Sequence, residues 1–225
     1  MPRGRSSGRV HRVLDMLQSG MAQDAELLAR WREGDMRAGE ALFERYYELV
    51  ERFFANKVGD QSDDLVQETF AACVVGRDRV DEARFRSYLF AVAYNVLSRH
   101  LRQRYRGGHE VDLDKISVCD AGMGPSTLMA KRREQRLLLE GLRNIPVTFQ
   151  VLLELYYWED LSSRQIGEVL GLQERTVRAR LQKARELLER AMERVARSPA
   201  ILEQTRSHLE EWARQCRDLM PGPSS

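Results

Sequence analysis

The sequence predicts an all-α protein made of two small helical units that are joined by a linker. Apolar residues recur at helical spacing through most of the 225-residue chain. Only six prolines and fifteen glycines interrupt this pattern, and no alternation of apolar and polar residues is long enough to indicate a sheet. The length suits one large domain or two small ones.

The overall composition is that of an ordinary globular protein, with 43% hydrophobic and 31% charged residues. The net charge of +2 excludes little, because nucleic-acid-binding proteins often balance a local basic face with acidic residues elsewhere. No apolar run approaches the ~20 residues that a membrane-spanning helix requires, and residues 1–21 lack the apolar core of a secretory signal. We expect no membrane insertion and a disordered basic arm over residues 1–21.

The three cysteines, Cys73, Cys119 and Cys216, lie far apart and belong to no Cys-x-x-Cys or cysteine–histidine cluster. Their number and spacing argue against a disulfide framework and against a zinc site. The sequence therefore predicts no metal, no cofactor and a reducing, cytoplasmic location.

A first helical unit is predicted over residues 22–106. Its apolar face begins with Leu27, Leu28 and Trp31, which share one side of a helix. Ser62, followed by two aspartates, is typical of a helix N-cap with an acidic first turn. The helical segments begin near Asp24 and continue as Arg37–Ala55, Asp63–Val75 and Phe85–Tyr105, with a polar turn at Gly76–Ala83.

Residues 107–127 differ in composition from the helical segments on either side. Two glycines open the stretch, Pro125 lies near its end, and acidic residues lie between them, so an acidic, glycine-containing linker is predicted. Helical patterning resumes in a second unit over residues 128–197. A C-terminal extension over residues 198–225 places its apolar residues on one helical side, namely Ile201, Leu202, Leu209, Trp212, Cys216 and Leu219.

The segment Leu161–Arg185 has the pattern of a helix-turn-helix. Ser162 and Gln165 have the spacing of a capping box, which begins a short helix. Gly171 is able to adopt the left-handed conformation that ends a helix, and Gly167 allows a second helix to cross closely. The residues expected to fill the shared core are Leu172, Val177 and Leu181. In this motif the second helix enters the DNA major groove.

The second helix of the motif, about Gln173–Arg190, is strongly basic. Arginine and lysine neutralise phosphates, and arginine is able to hold guanine by two hydrogen bonds. Taken alone, such a charge run is more often a solvated face of a structural helix. Because it follows a capped helix and a turn glycine, we interpret it as a DNA-binding helix. Its basic residues are Arg175, Arg178, Arg180, Lys183, Arg185 and Arg190.

A second basic helix is predicted in the first unit. Between Arg84 and Arg106 there are six arginines and no acidic residue. Asn95, Arg99 and Arg102 recur at steps of four and three and share one face with Arg106. Basic groups among aromatic rings suit the binding of DNA whose bases are partly unstacked. The alternative is a buried aromatic core surrounded by solvent-exposed basic residues. The aromatic residues are Phe85, Phe90, Tyr94 and Tyr105.

The helix that begins at Asp63 is instead acidic and amphipathic. Asp64 and Glu68 lie one turn apart, as paired carboxylates for acid–base chemistry or metal binding would. No histidine, phosphate-binding loop or nucleophile motif accompanies them. Helix capping and a protein-docking surface fit this pattern better than catalysis does.

Three segments together resemble the successive motifs of extracytoplasmic-function (ECF) sigma factors, a branch of the sigma-70 family. The resemblance spans about Ala25–Glu193, and the order and spacing of the motifs make it specific. It implies a sigma region 2 domain, a flexible linker and a helix-turn-helix sigma region 4 domain. The three segments are DDLVQETF, RSYLFAVAYNVLSRHLRQRYR and LYYWEDLSSRQIGEVLGLQERTVRARLQKARELL.

The resemblance also implies roles for individual residues. The acidic helix would dock on core RNA polymerase through Asp64, Leu65, Gln67, Glu68 and Phe70. The loop Gly76–Arg84 and the helix after it would melt and read the −10 promoter element, with Asn95, Arg99 and Arg102 as contacts. The helix Glu174–Arg185 would read the −35 element through Arg175, Thr176, Arg178, Arg180 and Lys183.

The sequence departs from the family pattern in two places. The family commonly has a tryptophan and basic residues late in the docking helix, where this chain has Ala71-Ala72-Cys73-Val74, so we expect a difference in the affinity for polymerase or in the docking orientation. The tail beyond Ser198 lies outside the usual pattern. It is either a regulatory or partner-binding segment or an extra helix that covers apolar surface.

The function implied by the resemblance is that of a sigma factor. Such a protein binds core RNA polymerase and promoter DNA, directs promoter recognition, melting and transcription initiation, and needs no active site of its own. An anti-sigma factor is an expected partner. One alternative is a conventional helix-turn-helix regulator that acts without polymerase docking. A second is a metal-dependent enzyme of nucleic acids that uses Asp63, Asp64 and Glu68.

Overall fold

The computed structural model describes residues 22–81, 84–105, 112–123, 132–209 and 211. Across these ranges the chain is helical, which confirms the all-α prediction, and the β-type pairing found there is one isolated bridge between Ser117 and Pro146. The predicted arm over residues 1–21 lies outside the described residues. None of the described helices is long and apolar enough to cross a membrane.

The described residues of the predicted first unit include four α-helices and two complete 3₁₀ turns. The turns are Gly59–Gln61 and Arg77–Arg79. The helices are α1 (residues 22–32), α2 (Met36–Val58), α3 (Ser62–Gly76) and α4 (Phe85–Arg104).

Helix α2 begins where the carboxylate of Asp35 caps two free backbone amides. Its Oδ1 accepts hydrogen bonds from the amides of Arg37 (3.1 Å) and Ala38 (3.3 Å). Gly39 then lets α1 approach closely, since a Cβ at this position would lie 2.6 Å from Nε1 of Trp31. The fully buried indole of Trp31 thereby fixes α1 against α2.

The predicted N-cap of α3 is wrong by one residue. Ser62 is the first residue of the helix, and Gln61 takes the cap position without a side-chain hydrogen bond. The cause is the 3₁₀ turn Gly59–Gln61, which runs directly into α3, so that the amide of Ser62 already bonds to the carbonyl of Gly59. When a 3₁₀ turn runs directly into a helix, it satisfies some of the first backbone amides, so the helix has less need of a side-chain cap.

The second unit contains the remaining helices. The predicted C-terminal extension contributes α9, which packs on α5 and α8 and partly buries Ile201, Leu202 and Leu209. The other apolar residues predicted for this side, Trp212, Cys216 and Leu219, lie outside the described residues. The helices are α5 (Arg133–Arg143), α6 (Val147–Tyr157), α7 (Ser163–Leu170), α8 (Glu174–Val195) and α9 (Pro199–Ser207).

Part of the predicted linker is folded onto the second unit. Residues 112–123 bury Leu113, Val118 and Met123. Their backbone is tied to the start of α6, because Val147 donates to the carbonyl of Ile116 (2.9 Å) and Thr148 donates to that of Leu113 (3.3 Å). Apolar residues scattered among the acidic ones provide the burial that holds this segment. The ends of the predicted linker lie outside the described residues.

The residues predicted for the two units pack against each other and share one apolar core, which also contains buried ion pairs. Lys57 of α2, fully buried, forms an ion pair with Glu154 of α6, which is 2% exposed. Burial lowers the pKa of Lys57, and the Glu154 carboxylate acts in the opposite direction. The buried side chain of Arg143 extends from α5 and donates to the carbonyl of Asn56 at 2.8 Å.

A second carboxylate of the interface serves two arginines of the first unit. The side chain of Glu159 is 4% exposed and lies just after α6. Its Oε1 accepts from Nη2 of Arg52 at 2.7 Å, and its Oε2 accepts from Nη2 of Arg86 at 3.3 Å. Because each carboxylate lies opposite basic groups of the other unit, the charges are paired across the boundary.

Candidate nucleic-acid interface

The helix-turn-helix is formed by α7 and α8, and its capping box is confirmed. The Ser162 hydroxyl accepts from the amide of Gln165 (3.3 Å), and the Gln165 side chain accepts from the amide of Ser162 (3.0 Å). Gly171 ends α7 with φ of 67°, in the left-handed region. These two features fix where α7 begins and ends, and hence the direction in which α8 leaves it.

Gly167 allows a close approach, but to the turn and not to the body of the second helix. A Cβ at Gly167 would lie 2.5 Å from the carbonyl oxygen of Leu172. That carbonyl belongs to the turn that leads into α8, so any side chain at position 167 would displace backbone. The predicted core residues Val177 and Leu181 are buried, and Leu172 is partly buried.

Helix α8 buries one narrow side and leaves most of its basic residues exposed. Arg175, Arg178 and Lys183 are exposed, whereas Thr176 and Arg180 are half-buried at the edge of the core. The guanidinium of Arg178 forms an ion pair with Glu174, one turn earlier, and its side chain remains 70% exposed. The five predicted −35 residues therefore lie along one helix but differ in accessibility.

Arg180 is engaged by the folded segment of the linker. Its Nη2 and Nη1 atoms lie 2.9 and 3.2 Å from the two carboxylate oxygens of Asp114. The ring of Phe149 lies 5.9 Å from the Arg180 guanidinium and 5.7 Å from Nζ of Lys183. No local pattern indicates Asp114 as a partner, because 66 residues separate it from Arg180 and no spacing rule links them.

The predicted −10 face of α4 is accessible at its C-terminal half. Asn95, Arg99 and Arg102 are exposed. Of the four aromatic residues considered for base stacking, Phe85 and Phe90 are buried in the core, which leaves them no open ring face. Tyr94 is half-buried with its hydroxyl 3.4 Å from Oγ1 of Thr148, and Tyr105 is exposed.

The N-terminal half of α4 is covered by the second unit. Nη2 of Arg86 donates to the carbonyl of Glu159 at 2.6 Å, and Nη1 of Arg84 lies 3.4 Å from a carboxylate oxygen of Glu168 in α7. Between them is an open cavity of about 220 Å³, to whose lining Ser87 and Tyr88 of α4 contribute. Sequence reasoning missed these contacts because they join residues far apart in the chain.

Helix α3 divides the predicted polymerase-binding residues into two groups. Asp64, Gln67 and Glu68 are exposed, whereas Leu65 and Phe70 lie in the core. The Phe70 ring is covered by Tyr47 of α2, with ring centroids 6.3 Å apart and planes 6° apart. Leu65 and Phe70 are thus placed to support the α3 surface from beneath.

The exposed face of α3 adjoins that of α4. Glu68 forms an ion pair with Arg99, which links a predicted polymerase contact to a predicted DNA contact. Two apolar side chains that sequence reasoning had not selected are also exposed near this face, Tyr47 at 45% and Val75 at 86%. These two side chains add exposed apolar area beside the acidic residues of α3.

A family profile for the ECF sigma factor matches residues 21–194. The chain belongs to the ECF sigma factor family. It is accordingly a sigma factor that binds core RNA polymerase and promoter DNA and directs transcription initiation. A conventional helix-turn-helix regulator, the first alternative, is not favoured.

Several relatives of this sigma factor cover most of its length. It is 27% identical over 190 residues to the RNA polymerase sigma-H factor of Pseudomonas aeruginosa, covering 78% of this chain and 96% of the relative. It is 26% identical over 186 residues to the ECF RNA polymerase sigma-E factor of Escherichia coli K12, covering 77% and 96%. The sigma-E factor of Haemophilus influenzae is 26% identical over 176 residues, covering 74% and 93%.

A solved structure shares the fold of this sigma factor. The structure of CnrH in complex with the cytosolic domain of CnrY matches with a TM-score of 0.56 and 24% identity, covering 77% of this chain and 99% of that one.

Within the described part of this sigma factor, no group of three or more histidine, cysteine, aspartate or glutamate side chains is arranged to hold a metal ion. Cys73 is buried, which raises the pKa of its thiol to about 12, and Cys119 is exposed. Both are free thiols. The third cysteine, Cys216, lies outside the described residues.

Proposed function

We propose that this sigma factor divides promoter recognition among three surfaces: α8 for the −35 element, the C-terminal half of α4 for the −10 element, and α3 for core polymerase. The observation that carries the proposal is the arrangement of α8. It follows a capped α7 and a left-handed glycine, and it exposes Arg175, Arg178 and Lys183 beyond a narrow buried side. That combination suits insertion into the major groove with flanking phosphate contacts.

For the −10 element we propose Asn95, Arg99 and Arg102 as the contacts on α4. These residues form a basic, exposed surface with no neighbouring carboxylate on the helix itself, and such a surface attracts the phosphate backbone. Phe85 and Phe90 are left out because both are core residues. Tyr105, exposed at the end of the helix, is the aromatic residue best placed to stack on an unpaired base.

For polymerase docking we propose the exposed residues Asp64, Gln67 and Glu68, supported by Leu65 and Phe70 beneath them. Tyr47 and Val75 extend the surface with apolar area, as interface centres generally require. The pair of Glu68 with Arg99 connects this surface to α4. A polymerase group that engages Glu68 would release Arg99 for DNA.

Occupying both promoter elements requires the two units to separate. The −35 and −10 elements lie about 25 base pairs apart, or about 85 Å at about 3.4 Å per base pair. Here α7 lies directly against α4, with Arg84 and Glu168 3.4 Å apart, and α8 itself is only about 33 Å long at about 1.5 Å per residue. The arrangement described is therefore a closed one that precedes promoter binding.

We further propose that this chain contributes no active site and acts in the cytoplasm with the polymerase, which supplies the chemistry of RNA synthesis. CnrH is bound by the cytosolic domain of CnrY in its structure. By analogy, we propose that an anti-sigma protein controls this chain as well. Binding that stabilises the closed arrangement would be one means of such control.

Run-off transcription with purified core polymerase tests the proposed function. Core polymerase alone should give no selective transcript from a cognate promoter fragment, and addition of this chain should give one of defined start. Arg175→Ala with Arg178→Ala should reduce that transcript, whereas Glu140→Ala, an exposed substitution on α5, should not. A folded wild-type chain that binds polymerase but starts no selective transcript would contradict the proposal.

A pull-down of polymerase tests the docking surface separately. Asp64→Ala combined with Gln67→Ala removes exposed groups only, so the fold should persist while recovery of polymerase falls. The matched control is Glu140→Ala combined with Arg136→Ala on α5. Unchanged recovery with the α3 variant would show that polymerase binds elsewhere.

A further inference from the structure

The carboxylate of Asp114 forms a bidentate ion pair with Arg180 of α8. Two guanidinium nitrogens lie 2.9 and 3.2 Å from the two carboxylate oxygens. The parallel geometry of this pair is the one in which an arginine binds a phosphate or the edge of a guanine. The Arg180 side chain is 28% exposed in this state, so Asp114 occupies the position from which a DNA group would be bound.

The position of Asp114 is fixed by the fold of its segment. Leu113, immediately before it, is buried, and the carbonyls of Leu113 and Ile116 accept the amides of Thr148 and Val147 at the start of α6. The amide of Asp114 donates to the side chain of Asp112 at 3.0 Å, which closes a local turn. Asp114 is therefore presented to α8 by a docked segment on both sides of it.

The aromatic ring of Phe149, in α6, lies beneath this ion pair. Phe149 lies under both Arg180 and Lys183, at 5.9 and 5.7 Å from ring centroid to cation. Two basic side chains of α8 thus converge on one ring, and the carboxylate of Asp114 completes the cluster. The same two cations with the carboxylate removed form a compact positive site that suits a backbone phosphate.

We propose that Asp114 is an internal competitor of DNA: it occupies Arg180 in the closed protein and must leave before this edge of α8 binds a phosphate. The inference rests on the proposed role of α8 in DNA binding. It assigns to the connection between the units a function beyond joining them.

The test compares two substitutions that remove the same charge from the same turn. Asp114→Asn weakens the hold on Arg180, whereas Asp112→Asn removes a carboxylate paired with Lys115 at 3.1 Å and keeps an oxygen for the amide of Asp114. Binding of the full chain to a labelled duplex of mixed sequence is measured by fluorescence anisotropy over a range of salt concentrations. Circular dichroism establishes that each variant is folded.

We expect Asp114→Asn to bind the duplex about five-fold or more tighter than wild type. Asp112 interacts with Arg180 electrostatically but forms no hydrogen bond with it among those described, so Asp112→Asn should give a clearly smaller gain, within about two-fold of wild type. Arg180→Ala should abolish the gain, so that the double variant Asp114→Asn, Arg180→Ala binds no tighter than Arg180→Ala alone. Asp114→Ala should give the same gain as Asp114→Asn, which covers the case in which the asparagine amide still binds Arg180.

Two results would overturn the inference while leaving the proposed function in place. Equal gains in the Asp112 and Asp114 variants would show a general charge effect. No gain in either Asp114 variant, while Arg175→Ala still weakens binding, would show that Asp114 does not compete. By contrast, a duplex affinity unaffected by Arg175→Ala with Arg178→Ala would contradict DNA binding by α8 itself, and the inference would fail with it.

Discussion

Ion pairs form both between the units and on α8, but the two sets of pairs differ in their surroundings. At the interface Lys57 pairs with Glu154, and both side chains are buried. On α8, Arg178 pairs with Glu174, and the two side chains are 70% and 44% exposed. The first pair is withdrawn from water, and the second is solvated and screened.

The comparison shows that arginine and lysine residues occur in two distinct settings in this protein. A buried cation must be matched by a fixed carboxylate, so it specifies how two units fit together. An exposed cation keeps a weak partner that a phosphate is able to replace. Arg180 lies between these cases, since it is half-buried and held by a carboxylate from the connection between the units.

The largest effect is expected from breaking the buried pair. Glu154→Gln removes the carboxylate that pairs with the buried Lys57 and leaves only the weaker electrostatic interaction with Glu159, so that Lys57 must keep an unfavourable charge or lose its proton. We expect a loss of about 3–5 kcal/mol in the free energy of unfolding, measured by urea denaturation.

A double substitution distinguishes charge from packing in that result. Lys57→Met with Glu154→Leu removes both charges and keeps apolar volume beside Phe53, whose ring lies 4.2 Å from Nζ of Lys57. We expect most of the lost stability to return. If the double variant is as unstable as Glu154→Gln, the uncompensated charge is not the cause.

The next largest effect concerns the turn of the helix-turn-helix. Gly167→Ala would place a methyl group 2.5 Å from the carbonyl of Leu172, and backbone has to move to relieve the contact. We expect a loss of about 1–3 kcal/mol in the free energy of unfolding and weaker duplex binding. Ala179→Gly, on the exposed side of α8, is a control for helix propensity alone, at about 1 kcal/mol. Unchanged stability in Gly167→Ala would mean that the turn is looser than described.

Because Arg178 is exposed, Arg178→Ala should weaken DNA binding and leave the stability of the fold unchanged. If Arg178 contacts a base edge, we expect a loss of about 1–3 kcal/mol in promoter binding and relaxed discrimination at one position of the −35 element. Footprinting across promoter variants measures both. Undiminished discrimination would remove Arg178 from the set of reading residues.

The smallest effect is expected for the acidic partner of that residue. Glu174→Gln breaks an exposed pair within one helix, which is worth only about 0.3–0.5 kcal/mol. Thermal unfolding should therefore be almost unchanged, in contrast to Glu154→Gln. A loss comparable to that of the buried pair would contradict the distinction drawn between the two regions.

Local patterns in the sequence were sufficient to predict the helices of the first unit and the helix-turn-helix, but they did not separate α5 from α6. The capping box at Ser162 and Gln165 and the left-handed Gly171 depend on neighbouring residues only, and both are confirmed. The N-cap of α3 was misplaced because Ser62 has the right side chain, but the preceding 3₁₀ turn had already satisfied its backbone. The capping propensity of one residue does not indicate whether the preceding turn has already satisfied the backbone amides.

Contacts between distant segments were beyond sequence reasoning. Neither the match of Lys57 with Glu154 nor that of Asp114 with Arg180 follows from periodicity, because each depends on how two units or a linker pack. The same limit applies to α3, where periodicity places Leu65 and Phe70 on the apolar side of the helix but does not say whether a partner or the protein's own core covers them. The described packing assigns them to the core.

The buried ion pairs between the units have a consequence for any separation of the units. Lys57, Glu154, Arg52 and Glu159 would each regain a hydration shell once the units part, and this hydration would offset part of the free energy lost with the contacts. A contact that contains buried charges is therefore easier to reverse than an entirely apolar contact of the same area would be.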